Sequence, residues 1–316
     1  MVNTRTKKIN GKEYLYAERS FRLPDGKTKK ISKIIKRESE ANSKKTNDYF
    51  SQKTILEYQK YALNKYRAGH IITKDEIIKI EEMKVKYKEL MRKLTKKQIS
   101  DILDRFTANF TYESNAIEGN SLTLKDVTLI MSERIVPEGK DLREVYETKN
   151  TREANELLFN KKIIISIKGI IKLHEVLIKD TGVSTGLKKI PNYLVLRDLK
   201  TTPPESVLRE LEKLLSWYHD NKESLHPLEL VSNFHARFEE IHPFEDGNGR
   251  VGRMLINAML LESGYPPLII RKSSRIAYFS ALEDYDNGHH DKLLRFLVRK
   301  FKDTFKKFFE VYVNYL

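Results

Sequence analysis

His242-Pro243-Phe244-Glu245-Asp246-Gly247-Asn248-Gly249-Arg250-Val251-Gly252-Arg253 brings a base, carboxylates, glycines, an amide and two guanidinium groups into one short run. A core has little use for that mixture, because polar groups buried without partners are costly. The run reads as a loop that holds a phosphate-rich ligand. Gly247 and Gly249 allow a tight turn and a close backbone approach, and the apolar Met254-Leu255-Ile256 that follows opens a helix. Backbone N–H groups at a helix start bind anions. Arg250 and Arg253 lie three apart on the first turn, so both forks are expected on one side, gripping phosphate oxygens. Asp246 suits a Mg²⁺ ion shared with a polyphosphate, and His242 can take a proton near neutral pH.

This string resembles the motif of the Fic family, in which a histidine and a phenylalanine precede an acidic residue, Gly-Asn-Gly-Arg and a second arginine. The resemblance covers roughly Lys97 to Arg299. It implies a mainly α protein: a Fic-fold helical core with a β-hairpin flap, to which this chain adds a small N-terminal module containing β strands. It also implies transfer of AMP from ATP to a Ser, Thr or Tyr hydroxyl of a target protein or of the chain itself. In that scheme His242 is the catalytic base and Asp246 the ligand of Mg²⁺, with Mn²⁺ an alternative. Gly247, Asn248, Gly249, Arg250 and Arg253 hold the nucleotide phosphates, and Asn248's amide is a further donor. Tyr278 and Phe279 fall where relatives place aromatic residues around the base, and Asn287, beside Asp286, stands near the position of a base-contacting asparagine.

Two further strings carry the resemblance. Ser114 and Glu118 are four apart, hence on one helix face, with Gly119 a natural terminator. By itself this is a capped helix end. It is similar to the inhibitory motif of Fic proteins that carry an N-terminal inhibitory helix, in which Glu118 would take the guanidinium of Arg253 from the nucleotide. The stretch from Gly182 to Lys200 reads as extended, and the corresponding hairpin in Fic proteins is a flap that docks the target by main-chain pairing, here Pro191, Asn192, Tyr193, Leu194 and Val195. Where the family usually has an arginine after the glycine, this chain has Leu187-Lys188-Lys189. The resemblance also implies a homodimer, and leaves two other functions open: removal of AMP with Glu118 orienting water, and a nucleic-acid-binding regulator whose Fic core senses nucleotide.

Composition narrows the field. The 316 residues contain no cysteine, which excludes disulfide scaffolds, thiolate zinc sites and cysteine nucleophiles. No apolar run approaches the length of a membrane span, so a cytoplasmic protein without membrane contact is expected. The net charge of +15 is confined to the first third: residues 1–100 hold 27 Lys and Arg against 12 Asp and Glu, and the remainder balances at 32 against 32. Such an extension suits an anionic partner, nucleic acid or an acidic protein face; a lysine-rich solvated surface is the plainer reading.

Taken in order, residues 1–40 read as a basic β-rich module, with alternation through Lys12 to Tyr16 and around Phe21 to Leu23, and a Pro24-Asp25-Gly26 turn before Lys27 to Ile35. Residues 41–94 read as helical, with segments from Ser51 to Tyr66 and from Lys74 to Leu90. Residues 95–122 form a helix capped by Thr95 that ends in the inhibitory string, and residues 123–316 hold the core and C-terminal helices. Thr123 to Asp126 resembles a capping box for a helix to Met131, and Leu208, Leu211, Leu214, Leu215 and Trp217 read as one core-facing stripe. His174 and His235 are read as packing residues held by hydrogen bonds.

Overall fold

A computed structural model describes residues 2–194 and 199–314. The chain forms two compact units, divided after Lys86. In the first, strands β1 (Asn3–Ile9), β2 (Lys12–Arg22) and β3 (Thr28–Ile35) make an antiparallel meander in the order β1-β2-β3. Asn10 and Gly11 join β1 to β2, both with positive φ (50° and 77°), the demand of a two-residue primed turn. The alternating runs at Lys12 to Tyr16 and Phe21 to Leu23 fall largely on one strand, the 11-residue β2. Helix α1 (Lys44–Lys65) is capped by Ser43, whose side chain accepts from the Thr46 N–H. It covers one face of the sheet, where Ala17 and Ile35 pack with Ala41 and Phe50. Helix α2 (Lys74–Lys93) contributes Val85 to a second cluster with Leu23 and Tyr58.

The second unit is helical apart from one hairpin. Its elements are α3 (Lys96–Ile117), α4 (Leu124–Thr128), α5 (Leu142–Phe159), α6 (Ile167–Ile178), β4 (Tyr193–Leu194), β5 (Leu199–Lys200) and α7 (Pro204–Asn221). They are followed by α8 (Pro227–Ile241), α9 (Asn248–Glu262), α10 (Arg275–Asp286), α11 (Asp291–Thr304) and α12 (Glu310–Asn314). Thr95 caps α3 and Thr123 caps α4, each in a reciprocal capping box. Helix α4 passes into a π turn at Leu129–Glu133 instead of running on to Met131 as α-helix, and Arg134 closes it with φ 57°.

Helix α9 is the axis of this unit. From Arg250 to Leu260 every residue is buried, so α9 is enclosed on all sides, its two arginines and Asn257 included. It packs against α3, α5, α6 and α8. Phe106 on α3 sits among Phe110, Phe159, Phe308 and Phe309, with ring centroids 5.6 to 6.1 Å away. The Lys- and Phe-rich C-terminal segment therefore turns Phe296, Phe301, Phe305 and Phe309 into the core. Leu208 departs from the expected stripe: it is 48% exposed, and Val207 takes the inward place. Helix α7 buries a narrower face than its leucines suggest.

Candidate active site

The loop 242–247 sits between the end of α8 and the start of α9, and its two ends need left-handed backbone. His242 terminates α8 with φ 48° and Gly247 caps α9 with φ 83°. Asn248 braces the turn between them. Its Oδ1 accepts from the Phe244 N–H and its Nδ2 donates to the Phe244 carbonyl, both at 2.9 Å. The Asn248 side chain is thus committed to the loop rather than offered to a ligand; the Gly247 N–H donates to the Asp246 carboxylate, and those of Asn248 and Gly249 hold the anion-binding position of a helix start. His174 holds the loop from beneath. Its ring stacks on Phe244 at 3.7 Å and its Nε2 donates to the Asp246 carbonyl at 3.0 Å. Burial lowers the His174 pKa to about 4, so the ring stays neutral, in keeping with a packing role.

A cavity of about 390 Å³ opens over this loop, lined by residues that include His242, Asp246, the 247–249 backbone, Arg253 and Glu118. His242 Nδ1 lies 3.3 Å from the Glu239 carbonyl and 3.7 Å from the Glu239 carboxylate. Donation from Nδ1 to that carbonyl makes Nε2 the basic nitrogen. Tyr278 and Phe279 form a wall of the cavity; the buried Tyr278 hydroxyl is 2.6 Å from His235 Nε2, and Arg275 lies over the Phe279 ring at 5.2 Å. Asn287 is not brought to this wall. It caps the exposed end of α10, because the helix continues about two turns past the cavity before Gly288 ends it.

The two arginines diverge. Arg253 Nε donates to Ser114 Oγ at 3.0 Å, its Nη2 donates to the Ser114 carbonyl at 2.9 Å, and Nη2 also pairs with Glu118 at 2.6 Å. Burial is the largest single influence on this guanidinium and would depress it, but the surrounding groups, Glu118 first among them, together raise its pKa. Arg253 Nη1 is buried without a hydrogen-bond partner among the described residues. Arg250 instead turns to Glu147 (3.2 Å) and Asp246 (3.7 Å), and does not line the cavity. Three residues of helix separate the two Cα positions by one shallow step, yet long side chains go where carboxylates draw them. Glu147 on α5 and Glu118 past the end of α3 pull in different directions.

Asp246 also pairs with Arg143. Its carboxylate remains 45% exposed at the cavity rim. No group of three or more His, Asp or Glu among the described residues forms a metal cage. One rim carboxylate matches a Mg²⁺ that completes its shell with phosphate oxygens and water. Arg143 and Glu147 were absent from the residues singled out in the sequence, although their i, i+4 spacing on one face of α5 was there to be read. Glu239, one turn before His242 and 5% exposed, was missed likewise.

The hairpin pairs Tyr193 with Lys200 and Leu194 with Leu199. Pro191 and Tyr193 are exposed, and Tyr193 reaches the cavity; Val195 lies outside the described residues. Asn192 Nδ2 donates to the Phe244 carbonyl at 2.9 Å, and the Lys188 N–H donates to the Pro243 carbonyl at 2.8 Å. Lys188, in the segment that departs from the family pattern, is 3% exposed and donates from Nζ to Asn192 Oδ1, Thr201 Oγ1 and the Ile241 carbonyl. Burial lowers its pKa from 10.5 to about 8. Between those values the unfolded chain binds more protons at this site, so its contribution to stability should rise as pH goes from 8 to 10.5. Chemical denaturation across that window should show the rise, and Lys188→Met should flatten it; an equal rise in both proteins rules Lys188 out as its source.

Residues 164–260 match the Fic/DOC family model. The protein adenylyltransferase Fic of Nematostella vectensis is 32% identical over 193 residues, 60% of this chain and 45% of that protein. A namesake from Drosophila melanogaster is 30% identical over 190 residues, 59% of this chain and 39% of that protein. The chain spans less than half the length of these relatives. Among solved structures, a Fic domain containing signaling protein from Bacteroides thetaiotaomicron aligns with TM-score 0.66 and 25% identity, covering 72% of this chain and 94% of that one. Fic-1 of C. elegans aligns with TM-score 0.63 at 20% identity over 87% of this chain and 78% of that one, a likeness of fold.

Proposed function

From the premise that this chain carries a Fic domain, we propose that it transfers AMP from ATP to a protein hydroxyl and that Glu118 restrains the transfer. The observation that carries this reading is the single cavity that gathers His242, Asp246, Arg253 and the start of α9. His242 Nε2 takes the proton of a target Ser, Thr or Tyr. The freed oxygen forms a bond to the α-phosphorus as the bond to pyrophosphate breaks. Backbone N–H groups of Asn248 and Gly249, with Arg253, stabilise the charge on the phosphates, and Arg250 holds Asp246 and Glu147 in place. Asp246 is the residue to hold Mg²⁺, which when bound supplies charge neutralisation at the polyphosphate. The exposed hairpin edge offers a target segment its main-chain groups.

The label test is direct. Wild type and Glu118→Gly are incubated with Mg²⁺ and ATP labelled in either the α- or the γ-phosphate. Protein should retain the α label and none of the γ label. Retention of γ label means phosphoryl transfer instead, and retention of neither removes the transferase reading. A second reading, release of AMP from modified protein, is favoured by one feature: Glu118 lines the same cavity as His242 and can orient water there. AMP appearing on incubation of a pre-modified substrate with wild type but not with Glu118→Gly supports it.

A further inference from the structure

The first unit has a face that AMP transfer does not use. Antiparallel partners share a face, so the register places Arg5, Lys7 and Ile9 of β1 with Lys12, Tyr14, Tyr16, Glu18, Ser20 and Arg22 of β2. Ser32, Ile34 and Lys30 of β3 join them. The opposite face is the one covered by α1, and its lysines are spent there: Lys33 donates to the Lys45 carbonyl at 2.9 Å and Lys29 pairs with Glu57 at 3.6 Å.

On the outer face the arrangement is different. Five cations stand against one carboxylate, Glu18, which is 6% exposed. It sits at the centre of the sheet, pairs with Lys7 at 2.8 Å and with Lys30, and accepts from Ser32 Oγ at 3.2 Å. Those lysines hold its pKa at about 2, Lys30 contributing most. Glu18 thereby orients two lysines without cancelling the rest. Arg5, Lys12 and Arg22 are exposed and have no ion-pair partner among the described residues. Lys7 lies over the Tyr16 ring at 4.6 Å, and Ile34, opposite Tyr16 on the outer strand β3, is 56% exposed. Cationic donors thus flank a strip of aromatic and aliphatic surface.

We propose that this outer sheet face seats in the major groove of duplex DNA. The spacing of strands puts the two outer ones about 10 Å apart, and the major groove of B-form DNA is about 12 Å wide. Arg5 and Lys30 on the outer strands and Lys12 and Arg22 at the two ends of β2 meet phosphates, and Tyr14, Tyr16, Ser20 and Ile34 meet base edges and thymine methyl groups. The major groove of A-form RNA is too narrow to admit such a sheet. An acidic protein face or an anionic membrane would satisfy the charge but has no use for a groove-width strip of hydrogen-bonding and apolar groups.

Binding of the full chain to short labelled DNA duplexes is measured by anisotropy as salt is raised, beside Arg5→Gln/Lys12→Gln/Arg22→Gln. These three side chains are exposed and unpaired, so the variant's melting temperature should equal that of wild type. Each phosphate contact contributes about −0.9 to the slope of log K against log salt, so the triple variant should lose about three units of slope and at least about tenfold in affinity. Protection of guanine N7 from methylation by the wild type would place the sheet in the major groove. Equal binding by wild type and variant overturns the proposal. So does tighter binding of duplex RNA or single strands, or full methylation of N7 in the complex.

Discussion

AMP transfer by His242→Ala is expected to fall by about two to four orders of magnitude, the range that a positioned general base supplies. The loss should fall on turnover and leave nucleotide binding nearly intact, because the proposed scheme rests the phosphates on the α9 start and Arg253, not on the imidazole. Two observations argue that the ring is placed for this work. His242 occupies a left-handed turn (φ 48°) that few residues adopt without cause, and its Nδ1 is held by the Glu239 carbonyl. Alanine removes the base and adds strain at this positive φ, so the melting temperature of the variant is measured alongside. A single-turnover assay with labelled ATP, accompanied by a nucleotide-binding isotherm, separates the two effects. If the variant transfers AMP at the wild-type rate, His242 is not the base, and the proton must leave by another route.

Glu118→Gly should act in the opposite direction. The Glu118 carboxylate lies 2.6 Å from the Arg253 Nη2, and in the proposed scheme it competes with the phosphates for that guanidinium. Coupling between such competing partners is typically worth about 1–3 kcal/mol, so transfer should rise roughly 5- to 150-fold. The pair is only partly shielded, with the Glu118 side chain 37% exposed, which argues for the lower half of that range. A companion effect should appear without nucleotide. Arg253 is 3% exposed, and losing its carboxylate leaves a buried charge less well matched, so the melting temperature should drop and ATP should restore it. Glu118→Gln keeps the volume and removes the charge; activation by Gln equal to that by Gly assigns the restraint to electrostatics. An unchanged rate in both variants dismisses Glu118 as a brake.

Much of this architecture was legible from local chemistry. Thr95 and Thr123 announce their helices through capping boxes, Gly119 stops α3, and Pro24-Asp25-Gly26 turns the sheet, because in each case a side chain or a glycine answers a backbone demand within a few residues. The cavity was legible for the same reason: seven of its thirteen lining residues belong to the run from His242 to Arg253. What the sequence withheld depends on partners distant along the chain. Glu147 draws Arg250 away from the cavity from more than a hundred positions upstream, and Phe244 engages the Asn248 side chain through a turn whose shape no pattern of residue types reveals. Asn287 was placed by position alone, and the length of α10 carried it out to solvent. The Asn10-Gly11 turn and the Arg143, Glu147 spacing were readable signals passed over.

The anchoring of the hairpin has a practical consequence for anyone who wishes to redirect the protein. Lys188, Asn192 and Thr201 tie both roots of the hairpin to one another, and through the Ile241, Pro243 and Phe244 carbonyls to the loop that carries the base. If the hairpin docks the target as proposed, recognition and chemistry are joined at a fixed seam that lies outside the span between Tyr193 and Lys200. That span can be exchanged as a cassette, its ends already clamped, so a library varied there samples new targets while His242 keeps its register.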